Sequence, residues 1–308
     1  MRATNRAHQD AMSDRLVLGT AQLGLDYGVA NKTGKPNRFQ AEEIVRVAWQ
    51  NGIREIDTAQ GYGTSEDVLG QIISLFQGIE ELRITTKPHP QLNHLDEHSM
   101  KSALEASLQK LRLSSLYGFM LHKESFLDLW HKGLGDILTG FVRQGLVKHI
   151  GISVYHPDRA LDALRTDGID FVQLPTNILD RRFAKAGAFA VAKELGKAIY
   201  IRSVFLQGLL LLDENQLPFA MRGFAPLVGR IGLFCKRHNV EKGVLALGYL
   251  NKAFPNGKIV FGAETAEQVR ENIRCWDTEL SKEIIVAVDK EFCVEEETIL
   301  NPSLWPRR

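Results

Sequence analysis

The chain has 308 residues, 44% of them hydrophobic and 24% charged, a composition that excludes a wholly disordered chain. Lys and Arg number 38 against 37 Asp and Glu, for a formal net charge of +1. Charge this close to zero gives no general reason to expect nucleic acid or an anionic membrane as a partner.

In chain order, short apolar segments alternate with helical patterns. Leu16–Gly19 reads as the first strand, and Ile44, Val47 and Ala48 then recur at helical spacing up to a stop at Asn51-Gly52. Ile53–Asp57, Leu82–Thr86 and Leu116–Leu121 follow as strands two to four, with Leu104, Leu108 and Leu111 on one helical face between the last two. His149–Ser153, Phe171–Leu174, Ala198–Ile201 and Ile259–Phe261 complete a set of eight, with helix stops at Gly145, Gly168 and Gly196. A longer insertion, Leu206 to Phe224, follows strand seven, Val269, Ile273 and Trp276 mark the last βα unit, and a further helical stretch covers Leu280–Glu291. Eight such units predict an α/β fold of the closed (β/α)8 TIM-barrel class, in one domain spanning 1–308. An open doubly wound sheet is the alternative, but no GxGxxG follows the first strand.

Three cysteines, Cys235, Cys275 and Cys293, show neither CxxC spacing nor a metal-ligand pattern. No metal is expected, and a reducing compartment fits better than a disulfide framework. Residues 1–14 are polar and lack an apolar signal core, so they are expected to be a disordered extension. With no later run of about 18 apolar residues, the expectation is a cytoplasmic chain without a membrane partner. The basic pairs Arg181-Arg182 and Arg307-Arg308 read as solvated surface.

A barrel of this class builds its active site at the C-terminal strand ends. Strand two ends at Asp57, with Tyr62 in the loop beyond; strand three runs into Lys87 and strand four into His122. Singly, each has a bland reading as a helix cap, a packing residue or a surface partner. Together, one barrel mouth collecting all four is better explained by proton chemistry on a carbonyl. A lysine cation beside a phenol would lower its pKa from about 10, Asp57 would hold the ammonium, and His122 would orient the substrate oxygen or help relay the proton. The electrons would have to come from a cofactor.

These residues carry a family resemblance. Asp57-Thr58-Ala59-Gln60-Gly61-Tyr62-Gly63 resembles the DTAxxYG motif of the aldo-keto reductases, Thr85-Thr86-Lys87 their strand-three lysine, and Leu121-His122 their strand-four histidine. The likeness runs from Gly19-Thr20 to about Asn272. It implies that Tyr62 protonates a carbonyl oxygen as hydride arrives from a reduced nicotinamide, with Asp57, Lys87 and His122 completing the catalytic group. Thr20, Ser153 and Gln173 are implied at the nicotinamide end, Arg202 and Ser203 beyond strand seven, and Gly262, Gln268, Glu271 and Asn272 at the adenine end. Tyr27, Trp305 and the Leu206–Phe224 insertion are candidate substrate contacts, and the partner is a small carbonyl compound; the oligomeric state is left open.

Three features depart from the pattern. Val154 replaces an Asn that often follows the strand-five serine, and Arg202 stands where an aromatic ring usually stacks on the nicotinamide; its planar guanidinium could stack there, or contact a pyrophosphate or an anionic substrate. Glu264 and Gln268 occupy the stretch where NADPH-specific members commonly place basic residues. The resemblance favours NADPH, while these residues leave NADH open. Two other readings stay open as well: a non-catalytic, cofactor-binding regulatory subunit, and a barrel lyase using Lys87 as a Schiff-base amine, which pairing with Asp57 opposes.

Overall fold

Eight parallel strands alternate with helices in the computed structural model, which describes residues 14–76 and 81–305. They are β1 (Leu16–Gly19), β2 (Glu55–Asp57), β3 (Arg83–Thr86), β4 (Leu116–Leu121), β5 (Val147–Ser153), β6 (Phe171–Pro175), β7 (Ala198–Arg202) and β8 (Gly257–Gly262). Each pairs with the next, and β1 pairs with β8 from Leu16↔Ile259 to Gly19↔Gly262, which closes the barrel. Every strand expected from sequence is present. β2 begins two residues later because the Ile53 amide still bonds back to Ala48 at the end of the preceding helix. Most of the expected N-terminal extension, residues 1–13, and the Arg307-Arg308 pair lie outside the described residues.

Local sequence explains the helices. Asn37 and Gln40 form a reciprocal capping box that starts Arg38–Gln50, and Asp96 and Thr265 cap Glu97–Leu111 and Ala266–Asp277. The four predicted stops, Gly52, Gly145, Gly168 and Gly196, all have φ between 65° and 85°, a left-handed turn that costs glycine nothing. The insertion after β7 forms three short 3₁₀ turns, the first at Leu209–Leu211.

Two apolar compartments result. The larger lies between strands and helices, and a small one fills the barrel interior with Val17, Met120, Phe171 and Tyr200. Phe171 has room because Gly151 and Gly118 face it: a Cβ on either would come within 2.2 Å and 3.2 Å of its ring. At the N-terminal end of the barrel the buried Glu55 carboxylate accepts from Tyr200 Oη at 2.8 Å and pairs with Arg83 at 3.3 Å and with Lys258. These contacts bind β2, β3, β7 and β8 to one another, so the far ends of the same strands are held in fixed relation. Among the described residues no helix is long and apolar enough to cross a membrane.

Candidate active site

The four proton-handling candidates meet at the C-terminal mouth. Asp57 is the last residue of β2, while Lys87 and His122 come directly after β3 and β4. Lys87 Nζ lies 2.7 Å from both Asp57 oxygens and 3.1 Å from Thr58 O. Gln173 Nε2, from β6, donates to Asp57 Oδ1 at 2.9 Å. The ammonium and carboxylate are thus fully engaged, and Lys87 is only 1% exposed. An amine with all three N–H groups committed has no lone pair to offer a carbonyl, which argues against the Schiff-base alternative.

Tyr62 is fixed by its backbone. Its N–H donates to Ala59 O and its carbonyl accepts from Ser65 N, both at 3.0 Å. The turn Ala21–Gly24 lies so close that a Cβ on Gly24 would sit 1.7 Å from Tyr62 O, and one on Gly63 would sit 2.4 Å from Gly24 O. The glycine that ends the DTAxxYG-like segment therefore lets two loop backbones close on each other. Lys87 Nζ stands 5.2 Å from the Tyr62 ring centre, and His122 meets that ring edge-on at 6.1 Å. No described residue hydrogen-bonds the Tyr62 hydroxyl, and the side chain lines the cleft.

The electrostatics correct one expectation. The resting phenol is not acidified by Lys87: burial pushes its pKa up, the Asp57 carboxylate pushes it further, and Arg202 pulls weakly the other way. Asp57 opposes the ammonium's field at the ring without removing it, so desolvation wins and Tyr62 stays protonated. Burial also draws the Lys87 ammonium down from its usual value, opposed by Asp57. His122 is pushed down to about 3, first by burial and then by Lys87 and Arg202. Its Nδ1 is buried without a partner among the described residues. The imidazole is therefore neutral at physiological pH.

A pH dependence follows. The unfolded chain protonates His122 below about 6.5 and the native protein only near 3, so native stability should fall as pH drops through that window. The share of this one group is about 2–3 kcal/mol between pH 7 and pH 4. Urea unfolding at both pH values should show His122→Gln losing less stability on acidification than wild type. An equal loss would place the imidazole in water.

From these residues a cleft of about 500 Å3 runs on to the helix Ala266–Asp277. It collects every cofactor position expected from sequence: Thr20, Ser153 and Gln173 at one end, Arg202 and Ser203 after β7, and Gly262, Gln268, Glu271 and Asn272 at the other. Some of these also hold the frame. Thr20 Oγ1 donates to Asp57 O at 2.9 Å, and Gln268 accepts from Glu264 N at 2.7 Å. Others keep unused polar groups. The Ser153 hydroxyl and the Asn272 amide, only 5% and 8% exposed, hydrogen-bond to no described residue although they line the cleft. Buried polar groups without partners around an elongated cleft fit a ligand rich in hydrogen-bonding groups, such as a dinucleotide.

Tyr27 lines the cleft, as expected. Trp305 does not: it packs on Phe224 at 5.2 Å and donates to Ile299 O, while its neighbours Pro302 and Ser303 line the cleft instead. Sequence reasoning missed Tyr155, whose ring lies 4.0 Å beneath the Arg202 guanidinium; its spacing two residues after Ser153 was the available signal. Gln207, in the Leu206–Phe224 insertion expected to contact substrate, accepts through its carbonyl from Val29 N at 2.8 Å and joins the loops after β1 and β7 where both line the cleft.

The sequence pattern of the Aldo/keto reductase family matches residues 15–291. An NADH-specific methylglyoxal reductase of Escherichia coli is 24% identical, the match covering 88% of this chain and 92% of that one. Pyridoxine 4-dehydrogenase of the same organism is 26% identical, over 90% and 98%. The holo form of an aldo-keto reductase from Bacillus halodurans superposes with a TM-score of 0.70 at 21% identity, over 90% of this chain and 91% of that one. With the matched pattern spanning the whole barrel, this chain belongs to the aldo/keto reductase family and is a nicotinamide-dependent oxidoreductase acting on carbonyl and alcohol groups.

Proposed function

We propose that the protein reduces small aldehydes or ketones to alcohols, with Tyr62 as the general acid and NADH as the preferred cofactor. The observation that carries this reading is a phenol kept protonated, its hydroxyl without a partner among the described residues, beside a Lys87–Asp57 pair bound to each other through both carboxylate oxygens. The cofactor, when bound, supplies the hydride. Ser153 and Asn272 would hold it, since their polar groups line the cleft and have no partner among the described residues.

The remaining chemistry belongs to the chain. Neutral His122 orients the substrate oxygen toward the Tyr62 hydroxyl. As hydride reaches the carbonyl carbon, that oxygen becomes an alkoxide, a stronger base than phenolate, and Tyr62 gives up its proton. The phenolate left behind is stabilised by the Lys87 ammonium, a preorganised charge in a site with little water. Asp57 and Gln173 keep that ammonium in place throughout.

Cofactor choice rests on charge. The basic side chains lining the cleft, Lys87, His122 and Arg202, cluster at the catalytic end, whereas the end near Ala266–Asp277 presents Glu264 and Glu271. A 2′-phosphate there would meet the Glu264 carboxylate, with Glu271 already paired to Arg274, and like charges brought together cost affinity. That the E. coli relative is named NADH-specific agrees with this reading. Fluorescence titration should give a Kd for NADH at least about 10-fold below that for NADPH. Tighter NADPH binding would overturn the preference, and absence of turnover with any aldehyde and either cofactor would overturn the reductase reading.

A further inference from the structure

The Arg202 guanidinium is held at the catalytic end of the cleft and is only partly engaged. One N–H donates to Val154 O and another to Ser203 Oγ, both at 3.2 Å, and its carbon lies 4.0 Å over the Tyr155 ring. These contacts fix it between the ends of β5 and β7. An arginine carries five N–H donors, so three of them have no acceptor among the described residues. Nor does any carboxylate there form an ion pair with it.

The surrounding charges make this exception matter. Asp57 and Lys87 cancel each other at 2.7 Å, and His122 is neutral at working pH. Glu264 and Glu271 line the opposite end, and Glu271 is already paired with Arg274. Among the side chains that line the catalytic end of the cleft, the positive charge left uncompensated is that of Arg202. Its field reaches Tyr62, Tyr27, Lys87 and His122, so it acts on the space where the substrate must sit. A planar guanidinium backed by an aromatic ring, with three N–H groups uncommitted among the described residues, can receive a carboxylate through charge-assisted hydrogen bonds.

We infer that Arg202 is a specificity-determining residue that selects carbonyl substrates bearing a carboxylate. The inference rests on the reductase reading above and adds the substrate class. A carboxylate seated on Arg202 would neutralise the excess charge and anchor the molecule at one point, leaving its carbonyl to Tyr62 and His122. Uncharged aldehydes would lack that anchor and leave the guanidinium donors unpaired.

The test pairs charged with uncharged substrates: glyoxylate with methylglyoxal, and succinic semialdehyde with butanal, each assayed with NADH and with NADPH. Wild type should favour the charged member in kcat/KM, mainly through KM. In Arg202→Met that ratio should fall about 10–100-fold, the worth of hydrogen bonds to a charged group. Arg202→Lys should recover part of it as a point charge without the planar guanidinium. An unchanged ratio overturns the inference, and does so most plainly if Arg202→Met weakens NADH binding, because Arg202 would then be a cofactor contact. If wild type reduces no carbonyl at all, the reductase reading fails, and calorimetry with succinate still judges Arg202. Binding that Arg202→Met abolishes supports the carboxylate site, and binding that is absent or equal in both proteins overturns it.

Discussion

Tyr62→Phe should bind cofactor as wild type does and lose about 10²–10⁴-fold in kcat for carbonyl reduction, the usual contribution of a positioned general acid. The variant removes one oxygen whose hydroxyl bonds to no described residue, so no protein hydrogen bond is broken. The ring keeps its edge-on contact with His122 and its place beside Lys87. Stability should therefore change little, and a loss of activity reports chemistry. Single-turnover measurement of cofactor oxidation, with cofactor Kd determined alongside, separates the two. Activity within a few-fold of wild type would assign the proton to another donor, and neutral His122 would be the first candidate. A second signature tests the electrostatics. Because burial and Asp57 both raise the phenol's pKa, the wild-type reduction rate should show no loss from Tyr62 ionisation up to at least pH 9.

The sequence was most legible where pattern and chemistry coincide. Strand ends mattered most: Asp57, Lys87 and His122 each fall where a β segment stops, and parallel strands place such residues on one face regardless of the details of packing. Helix stops were readable because Gly52 and Gly196 adopt a backbone that other residues pay to enter. Contacts between segments distant in sequence were not readable. Nothing in the local pattern around Tyr155 announces that Arg202, 47 positions later, will lie over its ring, or that Gln207 will accept from Val29. Trp305 misled for a related reason. An aromatic residue in a tail is equally suited to a ligand or to a neighbouring ring, and here Phe224 offered the ring. The phenol's pKa misled because proximity to Lys87 is visible in the motif, whereas burial and the cancelling carboxylate are properties of the folded site.

The Asp57–Lys87 pair offers the sharpest separation of folding from catalysis. Both side chains are buried, and each is the other's main partner. Asp57→Asn would leave a buried ammonium with only Thr58 O and an amide oxygen for acceptors. Lys87→Met would leave a buried carboxylate served by Gln173 alone. Breaking such a pair from one side costs about 3–5 kcal/mol, because an uncompensated charge stays out of water. Each single variant should accordingly shift the urea midpoint well below that of wild type. The double variant Asp57→Asn/Lys87→Met removes both charges and should be more stable than the sum of the single losses predicts, with a coupling energy of about 1–3 kcal/mol. Activity should behave differently. Without the ammonium the phenolate that Tyr62 becomes loses a cation 5.2 Å from its ring, so the double variant should remain as inactive as Lys87→Met while regaining stability. Additive stability losses would mean that the two charges do not depend on each other in the folded protein. Recovered activity in the double variant would mean that proton transfer from Tyr62 does not need Lys87.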